Sequence, residues 1–187
     1  MKIGITSDTH GCLQTWESIY NRFFNDADLI IHAGDVLYHG PRNAIPAEYN
    51  PKQLAETLNQ CPIPLVIACG NCDAEIDGMI LNWPVQSPYA SLRLEGLSIM
   101  VNHGHHLTDL SRIDMAKRFK SRLFITGHSH VASLEKQDGV VYLNPGSPGL
   151  SKRSDHKGTI ALLTDGRVQI LDINTGEVLM EETCTII

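Results

Sequence analysis

The feature that most constrains the fold of this chain is a repeated pattern, in which five short apolar segments are each followed directly by Asp, Asn or His. The residues at these positions are Asp8 and His10, Asp35, Asn71, His103, and His128 with His130. In α/β sheets the ends of the strands form the ligand crevice, so polar groups far apart in sequence can converge there. We therefore expect seven polar side chains to meet at one edge of a sheet.

The order of the predicted elements indicates how the sheets are arranged. Over residues 1–126, apolar β-branched segments alternate with helical periodicity at residues 13–23, 51–59 and 108–119. The second half is rich in strands separated by DG, NPG and NTG, and residues 92–101 predict a hairpin. This order predicts an α/β fold of four layers, an αββα sandwich in which helices flank two packed mixed β-sheets, within a single domain spanning residues 1–187.

Charge and hydropathy exclude several classes of partner. The 187 residues include 15 basic and 21 acidic side chains, and a net charge of −6 argues against a nucleic-acid polymer or an anionic membrane as the main partner. No apolar run approaches the roughly 18 residues that span a bilayer, and Lys2, Asp8 and His10 interrupt any secretory signal near the start. A cytoplasmic protein is expected.

The tetrapeptide CGNC at residues 69–72 has the spacing of a redox pair or of half a zinc knuckle. The chain has five cysteines, an odd number, and no second C-x-x-C to complete a zinc ribbon. We expect free thiols, as in a reducing cytosol. The alternative of a thiol redox protein requires a disulfide between Cys69 and Cys72.

The seven polar residues also predict a kind of chemistry. Carboxylate, imidazole and amide donors together suit Mn, Fe, Zn or Ni rather than Mg or Ca. Seven ligands exceed what one ion needs, whereas two ions that share a bridging carboxylate would use them. Two metal ions about 3.5–4 Å apart bind a phosphoryl oxygen between them and supply metal-activated hydroxide at neutral pH. The pattern predicts hydrolysis of a phosphoester.

Spacing alone assigns only some of these residues to a particular metal ion. In an extended D-x-H segment the two side chains project to the same side, so Asp8 and His10 can reach one ion. The same reasoning lets His128 and His130 serve one ion, and spacing does not decide whether they do.

Six motifs together resemble those of the calcineurin-like metallophosphoesterases. They are SDTHG at 7–11, GDVL at 34–37, GNCD at 70–73, NHGH at 102–105, GHSH at 127–130 and NPGS at 144–147. Any one of them is weak, but their order and their positions at strand ends are specific. GDVLYHGPRNAIP together with GNCD resembles the small bacterial phosphodiesterases of this superfamily. The resemblance covers residues 1 to about 150 and implies a small phosphodiester or phosphorylated metabolite as substrate.

The resemblance also implies a role for each residue. It assigns Asp8, His10 and His130 to one metal ion, Asn71, His103 and His128 to the other, and Asp35 to both as a bridge. Asp73 would support the ligands from behind or cap a helix. Manganese is the first candidate for the two divalent ions, with zinc, iron and nickel as alternatives.

The predicted catalytic residues are Asp35, Asn71, His103, Cys72 and Arg42. Many relatives carry histidine where Cys72 stands, and that histidine is thought to protonate the leaving oxygen. A thiol is a weaker donor, so His39 and His105 are further candidates for this role. Arg42 could contact a substrate phosphate through two N–H groups, or it could be a surface arginine of a flexible loop.

Other residues and functions remain open at this point. His32 is expected to be a hydrogen-bonded core histidine. The apolar loop residues Leu37, Tyr38, Ile45 and Tyr49 suit either a homo-oligomer contact or a pocket wall. The alternative function is a non-catalytic protein-binding scaffold, because one eukaryotic retromer subunit resembles the same fold.

Overall fold

The computed structural model describes residues 1–184, within which two mixed β-sheets pack face to face with helices on both outer sides. The strands are β1 (Lys2–Thr6), β2 (Leu29–His32), β3 (Leu65–Ala68), β4 (Val85–Gln86), β5 (Ala90–Leu94), β6 (Leu97–Val101), β7 (Leu123–Ile125), β8 (Ser133–Gln137), β9 (Val140–Asn144), β10 (Thr159–Thr164), β11 (Arg167–Asp172) and β12 (Val178–Thr183). The helices are α1 (Leu13–Ile19), α2 (Pro51–Asn59), α3 (Asp77–Ile80) and α4 (Asp109–Arg118). Strand order is β12-β11-β10-β1-β2-β3-β4 in the first sheet and β5-β6-β7-β9-β8 in the second.

The central core lies between the two sheets and follows from the period-two alternation of their strands. Ile3 and Ile5 of β1 face inward and pack with Ile99 and Ile125 of the second sheet. Gly4, between the two isoleucines, faces the opposite layer, where an added Cβ would lie 2.5 Å from the ring of Phe24. Glycine at this position lets an aromatic ring pack directly on the strand.

Helices complete the outer layers. Trp16 of α1 and Leu54 of α2 are buried against the outer face of the first sheet. Ala116 of α4 packs with Phe124 and Tyr142 on the outer face of the second sheet. The predicted four-layer αββα sandwich is confirmed.

Several predicted boundaries differ from those in the structure. The helix predicted over residues 13–23 is α1 as far as Ile19, followed by a π-helical turn at Tyr20–Phe24. Strand β2 continues through His32, which pairs with Thr6 and Ile67. The short elements α3 and β4 were outside the prediction, because one helical turn or two strand residues carry too little periodicity to read.

The topology places the ends of the central strands together. Strands β1, β2 and β3 run parallel, as do β6, β7 and β9. The carboxyl ends of β1, β2, β3, β6 and β7 are followed by the five loops that carry the predicted site residues. Across residues 1–184, every helix is too short or too polar to cross a bilayer.

Candidate metal centre

The structure brings the seven predicted residues together at one end of the sandwich. His10 Nε2 lies 3.2 Å from His130 Nε2 and 3.6 Å from Asp35 Oδ2. His103 Nε2 lies 3.3 Å from the same Asp35 oxygen and 3.2 Å from Asn71 Oδ1. The remaining two adjoin this cluster, since Asp8 Oδ1 is 3.3 Å from His130 Nε2 and the His128 ring centroid is 5.4 Å from that of His103. Asp35 lies between the two groups of imidazoles.

Five of the seven residues reach the centre from left-handed backbone. Their φ angles are 54° for Asp8, 46° for His10, 58° for Asp35, 67° for His128 and 57° for His130. Each costs roughly 1 kcal/mol or more for a residue with a Cβ. Hydrogen bonds between loops offset this cost, among them Asp8 N–H to Gly34 O at 2.9 Å and His10 N–H to Asp35 O at 3.0 Å.

This backbone corrects one sequence argument. Asp8 and His10 were expected to share a side because an extended segment alternates with period two. Strand β1 ends at Thr6, and the two residues converge through consecutive left-handed turns instead. His128 and His130 also have left-handed backbone, so the side-chain alternation of an extended segment does not apply to them.

Three buried imidazoles are each held by a backbone carbonyl. Nδ1 of His10 lies 2.7 Å from Tyr38 O, Nδ1 of His103 lies 2.8 Å from Ala33 O, and Nδ1 of His130 lies 2.7 Å from Leu150 O. A carbonyl only accepts, so each Nδ1 carries the proton and donates it. In the neutral ring this leaves the Nε2 lone pair aimed at the centre, which is the arrangement of a metal-binding histidine.

Each of the two aspartates uses one carboxylate oxygen for a backbone hydrogen bond and presents the other to the centre. Asp8 Oδ2 accepts the backbone N–H of His128 at 3.0 Å, and Asp35 Oδ1 accepts that of Cys72 at 2.8 Å. Asp8 Oδ1 is buried and has no hydrogen-bond partner within residues 1–184. A buried carboxylate oxygen without a donor is costly unless a cation satisfies it. The donor set and this oxygen together fit divalent metal ions.

Electrostatics also favour positive charge at the centre. Burial by itself would raise the pKa of Asp35, but the hydrogen bond and charge of His103 lower it below its ordinary value. Burial would lower the pKa of His103, yet its bond to Asp35 and the charge of Asp8 raise that pKa to about 9. The carboxylates therefore stabilise a cation where the imidazoles meet.

Asp73 joins two of the site loops. Its Oδ1 accepts the N–H of Val36 at 2.7 Å, and its Oδ2 accepts those of Asp35 at 2.8 Å and Gly70 at 2.7 Å. Burial raises its pKa to about 6. The N-cap of α3 is Ile76 rather than Asp73, so the helix-cap alternative is wrong and the supporting position behind Asp35 is the one observed.

A cavity of about 590 Å³ opens above the cluster. Its lining includes four residues of the cluster, Asp35, Asn71, His128 and His130. Tyr38, Arg42, Cys72 and Lys152 also line it. Arg42 and Lys152 are exposed side chains, so both bring positive charge to the cavity without a buried ion pair. The backbone N–H of Lys152 donates to His130 O at 3.1 Å, which holds this residue beside the cluster.

The three candidate proton donors occupy different surroundings. Cys72 lines the cavity, and its Sγ lies within 4.8 Å of ligand atoms of His10 and Asp35. Burial and the charge of Asp35 raise the pKa of this thiol to about 12, so it stays protonated at neutral pH. His39 packs between Tyr38, which is edge-on at a centroid distance of 4.7 Å, and Tyr49, which is tilted at 5.1 Å.

The third candidate, His105, packs against His106 with a centroid separation of 4.0 Å. Cys72 is therefore the one of the three that the cavity lining includes. All five cysteines are free thiols in the structure, as predicted.

Backbone carbonyls were the functional groups that sequence analysis missed. Those of Ala33, Tyr38 and Leu150 orient the imidazoles, and no residue type marks them. The motif NPGS was visible in the sequence, and its two polar side chains hold the geometry of neighbouring loops. Asn144 Nδ2 donates to Gly127 O at 2.7 Å, and Ser147 Oγ donates to Asp8 O at 2.7 Å.

His32 is the hydrogen-bonded core histidine that the sequence predicts. Its Nδ1 accepts the N–H of Gly34 at 3.2 Å, so Nε2 carries the proton and donates to Thr9 Oγ1 at 2.9 Å. Thr9 Oγ1 in turn donates to Val36 O at 2.9 Å. The ring is neutral in this chain of bonds, and burial lowers its pKa to about 4.

Acidification should therefore destabilise the protein through His32. The unfolded ring titrates near 6.5 and the folded ring near 4, so the folded state loses stability as pH falls between these values. The loss from this residue should be about 3 kcal/mol. Denaturant unfolding of the wild type and of His32→Gln at pH 7 and pH 4.5 would measure it. The variant should show the smaller decrease, and equal decreases would contradict the prediction.

Residues 1–166 match the model of the calcineurin-like phosphoesterase superfamily domain, so the chain belongs to this superfamily of phosphoric ester hydrolases. It is 30% identical to phosphodiesterase YfcE of Escherichia coli K12 over 97% of both chains. The solved E. coli YfcE structure superposes with a TM-score of 0.86 and 27% identity, covering 99% of this chain and 100% of that one. The resemblance to small bacterial phosphodiesterases is confirmed.

A more distant structure shares the fold. Vps29 of Entamoeba histolytica, solved in complex with Zn²⁺, superposes with a TM-score of 0.68 at 15% identity and covers 99% of this chain and 100% of that one. Membership of the metallophosphoesterases makes the protein a phosphoesterase and implies divalent metal ions, which agrees with the donor set of the cluster.

Proposed function

We propose that the protein is a binuclear metal-dependent phosphodiesterase acting on a small phosphodiester or phosphorylated metabolite. The observation that carries the proposal is the anchoring of three imidazoles through Nδ1, which aims His10, His103 and His130 Nε2 at two carboxylates. This arrangement is unfavourable for a folded protein unless protons or metal cations occupy the centre, since lone pairs and carboxylate oxygens otherwise face one another.

The proposed division of ligands is the one that the family resemblance implies, and the 3.2 Å distances from His10 to His130 and from His103 to Asn71 support it. Asp8, His10 and His130 would hold one ion, Asn71, His103 and His128 would hold the other, and Asp35 would serve both. Two ions bound here would offset the charge of the phosphate and lower the pKa of water to the neutral range. Manganese is the first metal to test, although zinc would compete during purification.

Other side chains would act on the substrate itself. Arg42 and Lys152 line the same cavity and would bind the anionic oxygens of the phosphate. The protonated Cys72 thiol would donate a weak hydrogen bond to the leaving oxygen. A thiol gives little protonation to a departing alkoxide, so we expect simple alcohols to leave slowly unless His39 or His105 supplies the proton.

Protein binding without catalysis is the second candidate, because the Vps29 structures share the fold. A scaffold has no need for a complete set of metal ligands, and here all seven polar residues converge. The distinction is measurable by equilibrium dialysis against Mn²⁺ and Zn²⁺. Uptake of neither metal would favour the scaffold.

Crystals grown with Mn²⁺ should show two anomalous peaks between the imidazoles, one on each side of Asp35. The same preparation should hydrolyse bis(p-nitrophenyl) phosphate faster than p-nitrophenyl phosphate, lose this activity with a chelator and regain it with Mn²⁺. One peak would refute the binuclear site, and a faster monoester reaction would refute the diester preference.

A further inference from the structure

A second cavity adjoins the first and has a different character. It measures about 420 Å³, within the range of roughly 300–1,000 Å³ that ligand pockets occupy. Leu37, Tyr38, Tyr49, Ala55, Ile76 and Ile80 account for most of its lining. We call this cavity the apolar annex. Three of the four loop residues left open between a pocket wall and an oligomer contact, Leu37, Tyr38 and Tyr49, therefore form a pocket wall.

The apolar annex adjoins the cavity above the metal centre. Tyr38, Cys72 and Ala74 line both. Cys72 Sγ is a weakly polar surface, so no strongly polar group separates the two cavities at this residue. A group attached to phosphorus above the cluster would therefore enter the annex past Tyr38, Cys72 and Ala74.

The floor and walls of the annex are preorganised. Leu37 and Ala55 are 5% and 2% exposed, so the cavity ends on the packed core rather than passing through to solvent. The Tyr38 ring lies edge-on to His39, which also contacts Tyr49. Contact among these three rings stiffens one wall of the annex. A concave site with a closed floor fits one side group of a ligand better than the flat face of a protein.

Charged groups in the lining do not require a charged ligand. Asp77 is buried, and its Oδ2 already accepts the N–H of Ala74 at 2.9 Å. Lys52 is exposed on α2 and reaches solvent. The mouth is formed by half-exposed apolar side chains, Ile76 at 52% and Ile80 at 47%. The annex therefore offers apolar contact to whatever enters it.

We infer that the apolar annex binds one ester arm of the substrate, and that the preferred substrates are phosphodiesters bearing an alkyl or aryl group. The inference rests on the proposed phosphodiesterase function and specifies its substrate class. Arg42 and Lys152 select the anionic phosphate, while the annex selects the hydrocarbon attached to it. Each methylene fully buried there strengthens binding by roughly fourfold.

The test compares dimethyl phosphate with dibutyl phosphate as competing ligands against hydrolysis of bis(p-nitrophenyl) phosphate. The two carry the same charge and differ by three methylenes in each arm. The inhibition constant of dibutyl phosphate should be at least about tenfold lower than that of dimethyl phosphate. Equal constants would overturn the inference and leave the phosphodiesterase proposal standing. Failure to hydrolyse any diester with Mn²⁺ present would overturn both.

Two variants on α3 assign the preference to the annex. Ile80→Asn places an amide in the lining and should reduce the ratio of the two inhibition constants at least threefold, with the constant for dimethyl phosphate unchanged. Met79→Asn is the matched control, because Met79 is 77% exposed and lies outside the lining. Sedimentation identifies a competing occupant. If Ile80→Asn converts a dimer to a monomer while the ratio stays constant, the face is a contact between copies and the inference is wrong.

Discussion

Replacing Asp35 by asparagine is expected to lower kcat by about a thousandfold or more while the protein stays folded. The introduced asparagine can still accept the N–H of Cys72 through Oδ1. Its amide nitrogen would replace the oxygen that lies 3.6 Å from His10 Nε2 and 3.3 Å from His103 Nε2. An amide nitrogen donates to those lone pairs and cannot bind a cation, so both ions should be lost together.

Thermal unfolding with and without chelator separates this explanation from misfolding. A ligand at about 100 times its dissociation constant stabilises a fold by roughly 2.7 kcal/mol, so the wild type should lose Tm when metal is removed. The Asp35→Asn variant should show almost no chelator effect. Asp26→Asn is the control, since Asp26 is an exposed carboxylate paired with Lys2 and takes no part in the cluster. Near-normal turnover or two retained ions in Asp35→Asn would contradict the bridging role.

The second large effect is expected from adding one methyl group at Gly70. An alanine Cβ there would lie 2.9 Å from Asp35 Cγ and closer still to the Asp35 Oδ1 and backbone nitrogen. Something must move, and the carboxylate at the middle of the cluster is the nearest group. A displacement of about 1 Å in a positioned catalytic group costs roughly a hundredfold in rate. We expect Gly70→Ala to lower kcat/KM by at least that factor and to destabilise the fold by about 1–3 kcal/mol.

Gly78→Ala is the matched control for this substitution. Gly78 lies in α3, and its added Cβ would meet no atom of the described residues within 4 Å. Alanine in a helix is more stable than glycine by roughly 0.5–1 kcal/mol, so this variant should keep full activity and unfold at an equal or slightly higher temperature. Full activity in Gly70→Ala, measured beside this control, would show that Asp35 tolerates a shift and that its position is less important than we argue.

Apolar periodicity in the sequence predicted the architecture because each strand or helix buries one face, and that face sets the spacing of its apolar residues. Ile3 and Ile5 alternate with Gly4 since a strand shows its two faces in turn. Leu13, Trp16 and Ile19 recur at helical spacing because α1 buries one side. Patterns shorter than about a turn carry no such signal, which is why α3 and β4 were missed. The seven polar residues were recognisable because each follows an apolar segment directly.

By itself, the sequence determined the fold class and the set of side chains that meet at the strand ends. Tertiary structure decided how those side chains are used. The tautomers of His10, His103 and His130 depend on carbonyls of Tyr38, Ala33 and Leu150, and the left-handed turns at Asp8 and His128 depend on bonds between loops. The apolar annex likewise forms between α2, α3 and the loop after β2. These features join segments far apart along the chain, so no window of sequence contains them.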